Sequence, residues 1–302
     1  DITIQTFIPA DNKDMEIEKE GSIIIQGKYV LDIVRKLPDE FINIEVIDEL
    51  KILIYAENSE FNLNGINQKE YPNVALENSK NFVKINTKLF KTIINQTAFA
   101  TSTDESRPIL TGINIKITGD ILECSATDSY RLAKKQAKLN EIAGETYNII
   151  VPGKNIVEFM KILNEGNEEL EIHIFSNKVL FKQNNLLFQS RLVSGNYPNV
   201  NNLIPSDSFL KITANLSNLY DVIDRASILT SDKEKNIVTL ETNKNLLIVR
   251  SSSAEIGRVE EKMNITKDNE EEIKISFSAK YMMDALRSFE GNTVELAFEG
   301  EV

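Results

Sequence analysis

One stretch, a strand running into a helix, occurs three times at a fixed interval: SIIIQGKYVLDIVRKLP from Ser22, NIIVPGKNIVEFMKILN from Asn148 and KISFSAKYMMDALRSFE from Lys274. Both steps between Gly27, Gly153 and Ala279 are 126 residues. The repetition extends beyond the apolar positions. Each copy places a lysine next (Lys28, Lys154, Lys280), then a carboxylate (Asp32, Glu158, Asp284), then a base (Arg35, Lys161, Arg287). Core packing alone gives no reason for charges to keep step. A second landmark shares the interval, Glu70-Tyr71-Pro72-Asn73-Val74 recurring as Asn196-Tyr197-Pro198-Asn199-Val200. A third match, 90–102 against 219–231, is offset by 129 and implies a loop of different length.

Solenoid units repeat every 20 to 50 residues or so, so this period marks a duplicated domain. The expected copies are 1–79, 80–205 and 206–302, the first short of about 47 residues at its start and the last of about 29 at its end. The chain is therefore expected to be a piece of a longer one, and copy one lacks the opening helix that the other two have. Each copy reads as helix, strands, helix, strands. That is an α+β domain with its helices over one sheet face.

Helices are expected over 27–37, 86–101, 153–164, 215–230 and 279–288, each carrying an apolar stripe. The first has Val30, Leu31, Ile33, Val34 and Leu37 on its stripe and stops at Pro38. Asn86 or Thr87 caps the second. Residues 1–26 alternate apolar and polar and read as strands, followed by strands at 41–47, 51–56 and 59–64 with Asp48-Glu49 as a hairpin turn. Further strands are expected at 110–118, 121–127, 130–137, 146–151, 169–175, 178–182 and 186–193, with 65–81 a polar connector.

No apolar run reaches the 18 or so residues of a membrane span, and a single Cys allows no disulfide within the chain, so a soluble cytoplasmic protein is expected. The net charge of −12 argues against nucleic acid only if charge is taken in bulk. The five helices together carry +5, which leaves −17 on the remainder. Either the helices form a basic patch on an acidic body, the arrangement that matters for phosphates, or they present ordinary solvated faces.

Catalytic patterns are scarce. His173 is the only histidine, and Ile172 and Ile174 beside it place it on the polar side of a strand as a solvated or edge residue. Cys124 reads as a small buried apolar residue. The chain has no GxSxG, GxxxxGK[ST] or GxGxxG motif and no zinc spacing, and calls for no cofactor and no metal. Two other classes stay open: a hydrolase with paired carboxylates, and a passive adaptor.

Three motifs remain: Arg107-Pro108-Ile109-Leu110-Thr111-Gly112, Ala126-Thr127-Asp128-Ser129-Tyr130-Arg131-Leu132-Ala133 and Gly195-Asn196-Tyr197-Pro198. In this order, with a Gly-Lys helix between the last two, the chain resembles the bacterial sliding clamps, the beta subunits of DNA polymerase III, over essentially its whole length. The resemblance implies a head-to-tail homodimeric ring with helices lining a central hole and sheets outside. It implies no catalysis. The partners it implies are double-stranded DNA, the replicative polymerase, the clamp loader and other proteins with clamp-binding motifs. The helix bases Lys28, Arg35, Lys88, Lys91, Lys154, Lys161, Arg225, Lys280 and Arg287, with Arg107 in a loop, would then face DNA. A partner-peptide pocket would match Leu110, Thr127, Ser129, Tyr130, Arg131, Leu132, Pro198, Asn202, Leu203, Ser278, Tyr281 and Val302. Tyr130 stands where many members have His, Asn202 where some have Arg, and the strand that ends the family's pocket is absent.

Overall fold

The computed structural model describes residues 2–38, 41–48, 50–164, 166, 168–230 and 236–300. Glu49, Ser231 and Val302, all invoked above, lie outside them. The chain divides into two compact units, Thr6–Glu77 and a larger one made of the first five residues with Asn78–Val302.

The elements begin with β1 (Ile2–Thr6), α1 (Gly27–Lys36), β2 (Asn43–Asp48), β3 (Lys51–Ala56), β4 (Ser59–Asn64), β5 (Phe82–Asn86) and α2 (Thr87–Ala98). There follow β6 (Gly112–Thr118), β7 (Ile121–Thr127), β8 (Leu132–Lys138), β9 (Tyr147–Pro152), α3 (Gly153–Ile162), β10 (Glu169–Ile174), β11 (Lys178–Gln183) and β12 (Leu186–Arg191). The last are β13 (Leu210–Asn215), α4 (Leu216–Ser227), β14 (Ile237–Asn243), β15 (Leu246–Ser253), β16 (Gly257–Asn264), β17 (Thr266–Lys267), β18 (Lys274–Ser278), α5 (Ala279–Ser288) and β19 (Thr293–Phe298).

The smaller unit holds α1 and the antiparallel sheet β2-β3-β4, with Ile52 and Ile54 of the central strand buried on one face. Pro38 follows the last turn of α1 as expected, and Leu37 N–H closes the turn on Ile33 O. One expectation is corrected here. Residues 7–26 are not strand: beyond β1 they make one bridge, Ile24 to Ile66, because no neighbouring backbone completes a ladder. Helix α1 buries none of its residues, leaving Leu31 and Val34 exposed. In the other copies an opening helix packs on the Gly-Lys helix or its equivalent, and the described residues of this unit contain no such helix.

In the larger unit, copies two and three each have two helices packed together over two sheets. The sheets are β8-β7-β6-β9 and β1-β12-β11-β10-β5 for copy two, β16-β15-β14-β18 and β17-β13-β19 for copy three. The 126-residue step holds to the residue at Gly27–Lys36, Gly153–Ile162 and Ala279–Ser288, and the 129-residue offset at Thr87–Ala98 and Leu216–Ser227. Asn86 and Asn215 cap the opening helices equivalently, each side-chain oxygen accepting the N–H three residues on. Thr87 instead donates its buried hydroxyl to Glu168 O. Behind α2 and α3, Phe159 stacks on Phe181 and Phe188 at 4.7 and 4.6 Å, and Phe90 meets Phe181 at 5.7 Å.

The expected connector 65–81 ends just before β5, a strand not anticipated; β5 and β13 run directly into their helices and pair with β10 and β19. His173 is corrected as well. It is 1% exposed, because β10 lies inside its sheet and Phe82 covers the second face at 4.9 Å. Its Nδ1 accepts Ser79 N–H at 3.1 Å and its Nε2 lies 3.3 Å from Glu171, so it is a structural tether. Cys124 is fully buried, and burial pushes its thiol pKa up.

Candidate DNA-facing helices and peptide groove

The expected strand 130–137 starts only at Leu132, because Asp128 turns the chain before it. Its Oδ1 accepts Tyr130 N–H at 2.9 Å and Arg131 N–H at 3.0 Å, while Thr127 Oγ1 donates to Arg131 O at 2.6 Å. Ser129 takes φ +78°, a conformation that costs a non-glycine residue energy and is held here by these bonds. The turn throws Tyr130 outward, 82% exposed, and folds Arg131 inward.

Arg131 then joins copy two to copy three. Nε donates to Asp128 at 3.0 Å, Nη2 to Phe99 O at 2.8 Å and Nη1 to Asp284 on α5 at 2.8 Å. The guanidinium lies over the Tyr281 ring at 4.4 Å, one helical turn before Asp284. Tyr130 and Tyr281 come within 6.4 Å, centroid to centroid.

The Tyr-Pro connector is strapped alongside. Half-buried Tyr197 accepts Thr127 N–H at 3.0 Å; burial pushes its phenol pKa up to about 12, against the pull of that N–H. Gly195 adopts φ +129°, and a Cβ there would meet Ile109 at 2.9 Å. Lys134 Nζ donates to Asn201. Leu132 shares the face of β8 with Lys134, so it lies on the side where the connector runs, and Leu203 there is 64% exposed. Pro198 and Asn202 are exposed as well. Thr127 and Leu110 are buried, and half-buried Ser278 occupies the cap position of α5. The structure thus groups Thr127, Ser129, Tyr130, Arg131, Leu132 and Tyr281 at the junction of the two copies.

Of the expected DNA-facing bases, all but half-buried Lys91 are exposed. Three converge. Lys88 and Lys91 of α2 and Arg287 of α5 line one cleft of about 430 Å³, with Thr92, Asn95, Gln96, Ser288, Phe289 and Glu290. Others are engaged by carboxylates: Arg225 is forked onto Glu261 at 3.1 and 2.9 Å, Lys161 reaches Glu158 at 2.6 Å, and Lys154 lies 3.6 Å from Glu105. The hydrogen bonds from Arg225 hold Glu261 below the usual carboxylate range. Arg107 points to the other feature, donating to Ser129 Oγ at 3.1 Å. Lys28 and Arg35 are exposed on α1, and Lys280 at the start of α5.

Asp284 and Phe99 were not among the expected site residues. For Asp284 a signal existed in the threefold carboxylate repeat; for the Phe99 carbonyl the sequence holds none. No helix among the described residues is long and apolar enough to cross a membrane.

Residues 1–75, 84–199 and 201–302 match family models described as the N-terminal, central and C-terminal domains of the DNA polymerase III beta subunit. The chain is 43% identical over 304 residues to the beta sliding clamp of Bacillus subtilis strain 168, and 37% identical over 303 residues to that of Staphylococcus aureus strain Mu50. Each alignment covers 99% of this chain and 80% of the relative. The crystal structure of the DNA polymerase sliding clamp from Bacillus subtilis superposes with a TM-score of 0.92 at 42% identity, and that of the DNA polymerase III beta chain from Streptococcus pneumoniae TIGR4 with 0.91 at 32%. Both cover 100% of this chain and 80% of the other. The chain belongs to the DNA polymerase III beta subunit family, the beta sliding clamps, whose function is polymerase processivity.

Proposed function

We propose that the chain contributes to a homodimeric ring around duplex DNA and tethers the replicative polymerase, without catalysing a reaction itself. The convergence of Lys88, Lys91 and Arg287 on one cleft where α2 meets α5 is the observation that supports a phosphate-facing wall. Lys28, Arg35, Lys280 and Arg107 extend the proposed set, while Arg225, Lys154 and Lys161, each engaged by a carboxylate, contribute little to it. Topology, not tight binding, holds the duplex. The wall then needs only weak phosphate attraction, and the acidic remainder disfavours DNA elsewhere. Partner peptides with a Gln and bulky apolar residues dock at the junction of copies two and three, among Tyr130, Leu132, Pro198, Leu203 and Tyr281. The clamp loader and other proteins with clamp-binding motifs share that groove. The working compartment is the cytoplasm, and the domain divisions are 1–79, 80–205 and 206–302.

Retention on DNA tests this reading. The chain, loaded by a bacterial clamp loader onto a nicked plasmid, is expected to stay through gel filtration and to be lost once the plasmid is linearised. Equal retention on both forms would mean surface binding, and no retention on the circle would overturn the ring.

A further inference from the structure

The two walls of the proposed peptide groove come from different copies, Tyr130 from the turn before β8 and Tyr281 from α5. Neither wall is positioned by a ladder between them, since β8 and β18 belong to separate sheets. Arg131 bonds directly to both sides. Its three donors reach an acid of its own turn, a carbonyl at the end of α2 and an acid of α5, at 3.0, 2.8 and 2.8 Å, and it is 17% exposed. A fork with donors in fixed directions sets orientation as well as distance. Asp284 is the only member of this set contributed as an acceptor by copy three. It lies one turn along α5 from Tyr281, so holding Asp284 also holds the Tyr281 ring under the guanidinium at 4.4 Å.

We propose that Asp284, acting through Arg131, is a positioning residue for the peptide groove, holding Tyr130 and Tyr281 as one aromatic wall before any partner arrives. This rests on the reading that partner peptides dock at this junction. Preorganisation of this kind favours binding by removing the ordering cost from the binding step. The carboxylate of copy three keeps the register of Asp32 and Glu158 and, beside the base three residues on, gains a partner outside its own helix. Glu158 pairs within its own helix, with Lys161, whereas Asp284 reaches across to Arg131. Asp284 also lies 3.7 Å from Arg287 Nη1, which gives the α5 base of the cleft a second anchor beside Tyr220.

The test uses the whole chain, a fluorescein-labelled peptide carrying a Gln and bulky apolar residues, and a second readout of thermal unfolding. Asp284→Ala is expected to raise the peptide Kd about tenfold, mostly through faster dissociation, at a temperature where the variant is fully folded. Arg131→Lys, which keeps charge but not the fork, is expected to fail as a rescue. The Arg131→Ala, Asp284→Ala double variant should bind no more weakly than the worse single one, since both remove the same connection. A merely structural role would lower the unfolding temperature and leave the Kd unchanged. That result, or additive losses in the double variant, overturns the proposal. If Asp284→Ala does not fold, Asp284→Asn, which keeps the shape and one acceptor, is expected to raise the Kd severalfold, and no change would overturn it equally. The pair Leu132→Ala, Leu203→Ala separates the two levels. Weakened binding there with intact binding in Asp284→Ala defeats the positioning role alone, and unchanged binding in the pair defeats the groove.

Discussion

Neutralising the cleft between α2 and α5 has a magnitude that can be worked in advance. Each phosphate contact contributes about −0.9 to the slope of log affinity against log salt, so raising salt from about 50 to about 200 mM costs about 3.5-fold per contact. Three contacts from Lys88, Lys91 and Arg287 would cost about 40-fold over that range. The structure trims this figure. Arg287 donates from Nε to Tyr220 at 3.0 Å and has Asp284 3.7 Å away, so it turns only part of its fork to a phosphate. Half-buried Lys91 also donates from Nζ to Leu163 O at 3.4 Å, so a triple Lys88→Gln, Lys91→Gln, Arg287→Gln variant should flatten the slope by about 1 to 2, short of the full 2.7 or so for three contacts. Arg225 is the contrast. Both its bonds are spent on Glu261, so an Arg225→Gln, Glu261→Gln pair, which removes base and acid together, should shift the slope by less than about 0.3. The assay is anisotropy of a labelled duplex titrated at a series of salt concentrations. An unchanged slope in the triple variant, or an equal change in the Arg225 pair, would refute the assignment of the wall to that cleft.

Arg107→Ala should leave the unfolding temperature nearly unaltered, because an exposed arginine with one hydroxyl partner contributes little to stability; a fall of several degrees in a thermal melt would contradict this. Tyr197→Phe removes the acceptor of a buried N–H, that of Thr127, and should cost about 1 to 3 kcal/mol in urea unfolding; a neutral result would mean water replaces the phenol. Lowering pH should destabilise the fold by a definite route. Burial works to raise Glu171 and Glu123, but hydrogen bonds from Lys182 and His173, and from Gln136 and Lys134, outweigh it and hold both below the ordinary 4.5. The unfolded chain therefore takes up protons before the native one, so this contribution is complete above about pH 4.5 and is lost as pH falls through the lower native values. Urea midpoints are expected to be level from about pH 7 to 5.5 and to drop below about 4.5, and a midpoint that rises on acidification would contradict the sign.

The interval between Gly27, Gly153 and Ala279 is a property of the sequence alone, and so is the number of copies. Duplication keeps register at every position, apolar or charged, and local rules then place the elements: asparagine caps at Asn86 and Asn215, a proline stop at Pro38, apolar stripes at helical spacing. Strand existence was harder where the partner is distant. β5 and β13 are strands because β10 and β19 accept them, and 7–26 is not strand because it closes turns on itself at Pro9 and Asn12 and meets another backbone in a single bridge at Ile24, although its alternation is the same kind of signal. His173 failed for a related reason: alternation says which side of β10 it takes, but only tertiary packing brings Phe82 and Ser79 over that side. For the site, the motif residues at 127–132 and 195–198 were legible as a family likeness. Which of them project and which lock the copies together was not. Tyr130 and Arg131 are adjacent in sequence, yet one is 82% exposed and the other is clasped by Asp128, Phe99 and Asp284. The same holds for the bases. Sequence supplies their charge, but whether a carboxylate already engages it, as Glu261 does Arg225, depends on strands and helices meeting from 36 residues away, which only the folded chain decides.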